Sequence, residues 1–329
     1  MAGTASWRVP GAMSTNRMIT VAICTWNRCE LLRETLAQIE GLAKPPGLAW
    51  ELLVVDNGST DTTADAVRAF EGRLPTRYVL ENKQGASFAR NRALDEAAGD
   101  WIVFIDDDVL IEPAWFMSVL SAIERNAETA IVSGPIAPWF PVEPPADLLE
   151  VYPELAKGFC GVDYGGPERL IPPECLVFTA NMAVHRSAAA GIRFNTNVGG
   201  RLPLGEDIDF VDRVRRAGGT VLWVPAMRVK HHVDPSRMTL EFLRRYRATA
   251  GAVHVRLGTW PPAPSLLGAP RWAWRAVIET YVKQAALQLR GNRIEHLKAL
   301  RVHDFSRGML SEFRRISAEA QTPSGPAAS

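Results

Sequence analysis

Gly99-Asp100-Trp101-Ile102-Val103-Phe104-Ile105-Asp106-Asp107-Asp108-Val109 is the stretch on which the fold turns. A short apolar run stops abruptly at three carboxylates. The apolar part predicts a strand buried on both faces. The acids then fall at its C-terminal edge, where open α/β sheets bind ligands. Side chains alternate along a strand, so Asp106 and Asp108 share one face and Asp107 takes the other. Two carboxylates on one face form an oxygen-rich seat for Mg²⁺ or Mn²⁺. The plainer reading is a solvated acidic turn, and the rest of the chain decides between them.

Upstream, strand and helix alternate. Met18 to Thr25 predicts a buried strand that runs into Trp26-Asn27-Arg28, with a helix from about Glu30 to Glu40. Lys44-Pro45-Pro46-Gly47 is a turn. Trp50 to Val55 is a second strand, ending in Asp56-Asn57-Gly58-Ser59-Thr60-Asp61. Thr60 or Asp61 can cap a helix that reaches about Phe70. A third strand spans roughly Arg77 to Leu80, and Gly85 opens a helix to about Ala98. This alternation predicts an α/β protein, with a mostly parallel sheet and helices on both faces. Three strands then end in polar clusters at one edge: Thr25-Trp26-Asn27, Asp56-Asn57 and Asp106 to Asp108. One such cluster is ordinary turn chemistry. Three together predict a ligand crevice. No GxGxxG follows the first strand and no GxxxxGK[ST] occurs, which disfavours a usual dinucleotide fold and a P-loop enzyme.

Downstream, Glu112-Pro113 opens a helix with Trp115, Phe116, Val119 and Leu120 as its apolar side, and Ala130 to Ser133 is a short strand. Pro135 to about Pro173 is rich in Pro and Gly and too long for a simple connection, so it reads as a functional excursion. Cys175 to Val184 is apolar, with Asn181 inside it. Glu206-Asp207 starts a helix that Gly218 and Gly219 stop. At about 100° per residue, Phe210, Val211, Val214 and Ala217 form one stripe, with Asp207 near its centre and Glu206 at its edge. An unpaired carboxylate on a buried face is costly, so Asp207 predicts function. The helix dipole accounts for Glu206. Val221 to Val224 and Met227 to Lys230 predict short strands leading to His231-His232, either metal ligands or a polar turn. From Met238 the chain turns helical and basic. Amphipathic segments are expected from Met238 onward, from about Arg271 to Arg290, and from about Arg293 to Arg315.

The 329 residues are 47% hydrophobic and 22% charged, ordinary values for a globular protein. A formal net charge of +1 gives no case for a nucleic-acid partner. Cys24, Cys29, Cys160 and Cys175 have no CxxC-like spacing, so reduced thiols and a cytoplasmic enzyme are expected. No apolar run approaches the roughly 18 residues of a bilayer span.

The ordered set of segments resembles the inverting family 2 glycosyltransferases, which have the GT-A fold. The matching residues are Val21 to Arg28, Val54 to Asp61, Gly85 with Ala89-Arg90-Asn91, Phe104 to Asp108, Ala180-Asn181-Met182, Gly205-Glu206-Asp207, and His231 or His232. The resemblance implies a nucleotide-sugar donor, a UDP-sugar first among them, and sugar transfer to an acceptor hydroxyl with inversion. Asp56 would accept a hydrogen bond from the base. Thr25 and Arg28 would line the nucleotide pocket, with Arg90 and Asp107 beside them. Asp106 and Asp108 would form the DxD motif that binds Mg²⁺ or Mn²⁺, Asp108 as direct ligand and Asp106 nearer the ribose. His231 or His232 would complete the metal or diphosphate site. Asp207 would be the catalytic base, with Asn181 and Glu206 on the acceptor side.

Acceptor identity is not carried over: a carbohydrate, a lipid-linked molecule or a small molecule all remain. The expected organisation is a flexible leader over 1–17 and a GT-A domain over 18–235. That domain divides into a nucleotide-sugar half, 18–110, and an acceptor half, 111–235. A helical C-terminal extension, 236–318, and a disordered tail, 319–329, follow. The basic C-terminal helices either pack on the core or lie peripherally on an anionic membrane, at its cytoplasmic face. Two other functions compete. Ile105 to Val109 also fits the DxDx[TV] signature of haloacid-dehalogenase-like phosphatases, and a non-catalytic nucleotide-sugar-binding protein would share the same acids.

Overall fold

The computed structural model describes residues 18–198, 204–258 and 260–321. The expected leader and residues 322–329 of the expected tail lie outside them. The chain divides into two compact units.

Among the described residues, the first unit comprises 18–141, 157–197 and 206–233. Its elements begin β1 (Ile19–Thr25), α1 (Cys29–Gly41), β2 (Trp50–Asp56), α2 (Thr63–Arg68), β3 (Thr76–Leu80), α3 (Ala86–Glu96) and β4 (Trp101–Asp106). They continue with β5 (Val109–Ile111), α4 (Trp115–Arg125), β6 (Ile131–Ser133) and β7 (Ile136–Trp139). After α5 (Ala146–Val151) and α6 (Pro153–Ala156), which belong to the second unit, come β8 (Arg169–Leu170), β9 (Asn181–His185), α7 (Glu206–Arg216), β10 (Val221–Trp223) and β11 (Val229–His232).

Among the described residues, eight strands form one sheet in the order β3-β2-β1-β4-β9-β6-β10-β8. The first four run parallel, and β9 lies antiparallel between β4 and β6. Alternation along the strands sorts the core into two layers. Val21, Ile23, Leu52, Val54, Trp101 and Val103 pack with Leu32, Leu36 and Ile39 of α1 and with α4. Ala22, Leu53, Val55, Ile102 and Phe104 face Ala89 and Ala93 of α3 and Phe210, Val211 and Val214 of α7. Burial on both faces explains why these strands read as continuous apolar runs. Gly99 is required where the chain enters β4, because a Cβ there would sit 2.5 Å from the backbone nitrogen of Thr20.

Strands β5, β11 and β7 form a second, smaller sheet. Here the structure moves an expected boundary. His231 and His232 lie inside β11 rather than beyond a strand, so alternation sends them to opposite faces.

Among the described residues, the second unit comprises 142–156, 198, 204–205, 234–258 and 260–321. Besides α5 and α6 it holds α8 (Leu240–Leu257), a hairpin of β12 (Ser265–Leu266) and β13 (Ala269–Pro270), α9 (Arg271–Leu289) and α10 (Arg293–Gln321). Asp304 is fully buried and accepts from Arg244 at 2.9 Å, which ties α10 to α8. Glu154 of α6 is held by Arg301 at 3.0 Å and by Arg247 at 3.3 Å.

Candidate active site

Parallel pairing sets the site. Thr25 is in register with Asp56, and Cys24 with Asp106, so three strand ends share one row. The loops beyond are laced together. Asn27 takes a left-handed backbone, φ 53°, its N–H donates to Ser59 Oγ at 2.8 Å, and its Oδ1 accepts from the Thr60 N–H at 2.7 Å. Asp56 is 2% exposed and accepts from Tyr78 Oη at 2.7 Å and from the Ser59 N–H at 2.8 Å. Each carboxylate oxygen keeps capacity for a further donor. Burial, with the bond to Asp56, pushes the Tyr78 phenol up to about 12.

The three acids divide. Strand β4 ends at Asp106, and Asp107 and Asp108 form the turn into β5. Asp107 turns toward β1, accepting from Thr25 Oγ1 at 2.6 Å and from Arg28 Nη1 at 3.1 Å. Arg28 also donates to Asp108 Oδ2 at 2.7 Å. Burial pushes Asp107 up to about 6, against the pull of Arg28 and with the push of the neighbouring Asp108 charge. Asp106 and Asp108 converge on His231 instead, whose Nε2 lies 3.6 Å from Asp106 Oδ2 and 3.4 Å from Asp108 Oδ1. Pairing of His231 with Val109 brings the imidazole to this turn. Burial alone would lower the His231 pKa, but the polar setting of the Cys160 sulfur and the Asp108 and Asp106 carboxylates holds it well above its ordinary value.

Asp106, Asp108 and His231 each offer a ligand atom, all within 4.8 Å of one another. Among the described residues, Asp108 Oδ1 and His231 Nδ1 are buried without a hydrogen bond. An orphaned carboxylate oxygen beside a second carboxylate and an imidazole is a donor set that fits Mn²⁺ or Mg²⁺. His232 stands apart from this cluster: its ring packs edge-on against Trp139, 5.1 Å between centroids.

The other half of the site is built on Arg90 of α3. Its guanidinium lies 2.7 Å from Glu206 and 3.3 Å from Asp207. The helical stripe predicted Asp207 inside and Glu206 at the edge, whereas the Glu206 side chain is 5% exposed and that of Asp207 13%. The largely covered Arg90 pairs with Glu206 on the inner side, which the spacing within α7 could not reveal. Asp207 accepts from Thr179 Oγ1 at 3.1 Å and from its N–H at 3.3 Å. Burial pushes Asp207 up to about 7, against the nearby Arg90 and with the charges of Glu206 and Asp106. Arg90, expected among the nucleotide-pocket residues, thus sits with the acids of α7.

Asn181, expected on the acceptor side, is fully buried with its amide already engaged. It donates to Met227 O at 2.7 Å and Pro135 O at 3.2 Å, and accepts from Trp115 Nε1 at 2.8 Å. It braces β9 against its neighbours and presents nothing to a ligand. Tyr78 and Thr179 were not singled out in sequence, and Trp115 was read only as part of an apolar helix side, because each acts through a partner brought from a distant segment.

The profile of glycosyl transferase family 2 matches residues 20–155. The succinoglycan biosynthesis protein ExoM of Rhizobium meliloti (strain 1021) is 30% identical over 248 residues, 73% of this chain and 74% of that protein. A validoxylamine A glucosyltransferase of Streptomyces hygroscopicus subsp. limoneus is 35% identical over 149 residues, 45% of this chain but 33% of that enzyme. Among solved structures, the mannosyltransferase PcManGT from Pyrobaculum calidifontis, in complex with GDP-Man and Mn²⁺, superposes with a TM-score of 0.57 at 20% identity, covering 98% of this chain and 92% of that one. TarS 1-349 of S. aureus in complex with UDP gives 0.53 at 15% identity, covering 88% and 91%. The chain belongs to glycosyl transferase family 2, has the GT-A fold and is a glycosyltransferase. Neither fold nor relatives support the phosphatase or the non-catalytic alternative.

Proposed function

We propose that the enzyme moves a sugar from a nucleotide-sugar donor, a UDP-sugar, to an acceptor hydroxyl with inversion at the anomeric carbon. The observation that carries this reading is the convergence of Asp106, Asp108 and His231 at the strand ends, with Asp207 near them on a separate helix. Asp56, Thr25 and Arg28 bind and orient the nucleotide. Arg28, already paired with Asp107 and Asp108, brings a positive charge to the diphosphate side. Asp106, Asp108 and His231 hold Mg²⁺ or Mn²⁺. A divalent cation bound there supplies a Lewis acid that offsets the charge gathering on the leaving diphosphate.

Asp207 takes the proton of the acceptor hydroxyl as the oxygen bonds to the anomeric carbon. The bond from that carbon to the phosphate oxygen breaks, and the nucleoside diphosphate leaves with the electron pair. A base raised to about 7 is well matched to this task. Glu206 is bound to Arg90 and less accessible, so it supports rather than replaces Asp207. Residues 18–110 form the nucleotide-sugar half and 111–235 the acceptor half. The acceptor is a carbohydrate, a lipid-linked molecule or a small molecule, classes within which the succinoglycan and validoxylamine A of the relatives' names fall. Among the described residues no helix is long and apolar enough to cross a membrane. Four free cysteines favour a cytoplasmic enzyme, and the basic helices a seat at the inner membrane face.

A thermal-shift screen of nucleoside diphosphates and nucleotide sugars, with and without Mn²⁺, tests the reading. Stabilisation by UDP or a UDP-sugar only with Mn²⁺ is expected. No stabilisation by any nucleotide would overturn it.

A further inference from the structure

We propose that α9 and the β12–β13 hairpin form a docking surface for an anionic lipid bilayer. Of the nineteen residues of α9, only Ala273 and Gln284 are buried. A helix of a soluble protein normally turns its apolar stripe inward. Here Ile278 is 60% exposed, Val282 60% and Leu289 90%. At about 100° per residue the three lie within about 40° of one another, a single outward line. Tyr281, 57% exposed, and Trp272, 41%, flank that line on opposite sides.

The hairpin that feeds α9 adds to this surface. Leu266 is 50% exposed and Leu267 71%. Leu267 has φ 48°, a left-handed conformation that is costly for a bulky side chain. Strain at an exposed tip, spent on holding a leucine in solvent, asks for a functional reason.

Charge selects the occupant. Arg271, Arg275, Lys283 and Arg290 lie on or next to α9 and are exposed, against one acid, Glu279, which pairs with Arg275 at 2.6 Å. A second copy of the chain would set this basic face against itself. Residues 1–17 carry two arginines and no acid, and the side chains of residues 322–329 carry no charge, so neither stretch complements it. An anionic bilayer does: cations meet headgroups, Trp and Tyr sit at the interface, and Leu, Ile and Val enter the acyl boundary. The helix is about 28 Å long and would lie in the plane of the interface. This inference rests on the proposed function only in giving a lipid-linked acceptor a place to be met.

The test is flotation of the full chain with phosphatidylcholine vesicles, with and without one quarter phosphatidylglycerol. Binding to the anionic vesicles alone is expected. The triple variant Ile278→Ser, Val282→Ser, Leu289→Ser removes only exposed groups and should weaken binding on the order of a hundredfold. Arg271→Glu with Lys283→Glu should weaken it by at least about 25-fold, because each of the two cations near the surface contributes about fivefold. Leu267→Asn tolerates the left-handed backbone, so a loss of binding in this variant reports the side chain and not the fold. Absence of binding by the wild type, or binding that the triple variant leaves unchanged, would overturn the proposal. So would a dimer that the triple variant dissolves, or retention on polyglutamate without vesicle binding. Calorimetry of UDP with Mn²⁺ on the same proteins keeps the readings apart. Intact nucleotide binding without vesicle binding removes this inference alone, and the reverse removes the donor site alone.

Discussion

Glu206 and Asp207 are adjacent carboxylates to which the fold gives different surroundings. Glu206 pairs with the largely covered Arg90, so Glu206→Gln weakens a charged hydrogen bond and should cost about 1.5–3 kcal/mol, read as a fall in melting midpoint. Its effect on turnover should be the smaller one. Asp207 holds its proton up to about pH 7 in the fold, above its unfolded value. The native state therefore binds the extra proton between about pH 4 and 7, and that stabilisation is lost as pH rises through 7. Stability of Asp207→Asn should fall less steeply than wild type across that window, which denaturant titrations at several pH values would reveal. The type and position of Asp207 were legible in sequence. Its burial relative to Glu206 was not, because Arg90 comes from a segment more than a hundred residues away.

Strands and their ends carry the next level. The acidic strand, the three polar strand ends and the alternation of β and α were legible because parallel strands buried on both faces leave an unmistakable apolar pattern. The histidines were ambiguous because register, not composition, decides which face each takes. Once β11 extends through both, His231 meets the acids and His232 does not. Asp108→Asn should abolish calorimetric Mn²⁺ binding, since an amide cannot replace the carboxylate's charge. Asp56→Ala should weaken UDP by about 1.5–3 kcal/mol; unchanged affinity would put the base elsewhere. Asn181 misled for the opposite reason: a polar residue inside an apolar run reads as functional, yet here it satisfies Trp115, Pro135 and Met227. Asn181→Ala strands Trp115 Nε1 and Met227 O, while Pro135 O keeps the Val229 N–H at 3.1 Å, and should cost about 3 kcal/mol in chemical denaturation. A variant of wild-type stability would contradict that bracing role.

Across the whole molecule, the α/β unit and the helical C-terminal unit were both foreseen from periodicity. The Pro- and Gly-rich excursion was not separable in sequence, yet residues 142–156 of it belong to the C-terminal unit. The central claim is a division of labour: strand-end acids and His231 hold the donor's diphosphate side, and Asp207 activates the acceptor. It is tested most directly by the rate of nucleoside diphosphate release at saturating donor, acceptor and Mn²⁺, across pH 5–9, in wild type and Asp207→Asn. The wild-type rate should rise through about pH 7 as Asp207 loses its proton. Asp207→Asn should be slower by about 10²–10⁴-fold and lack that limb, with donor affinity unchanged. A variant that keeps both the wild-type rate and the limb near pH 7 would contradict the assignment.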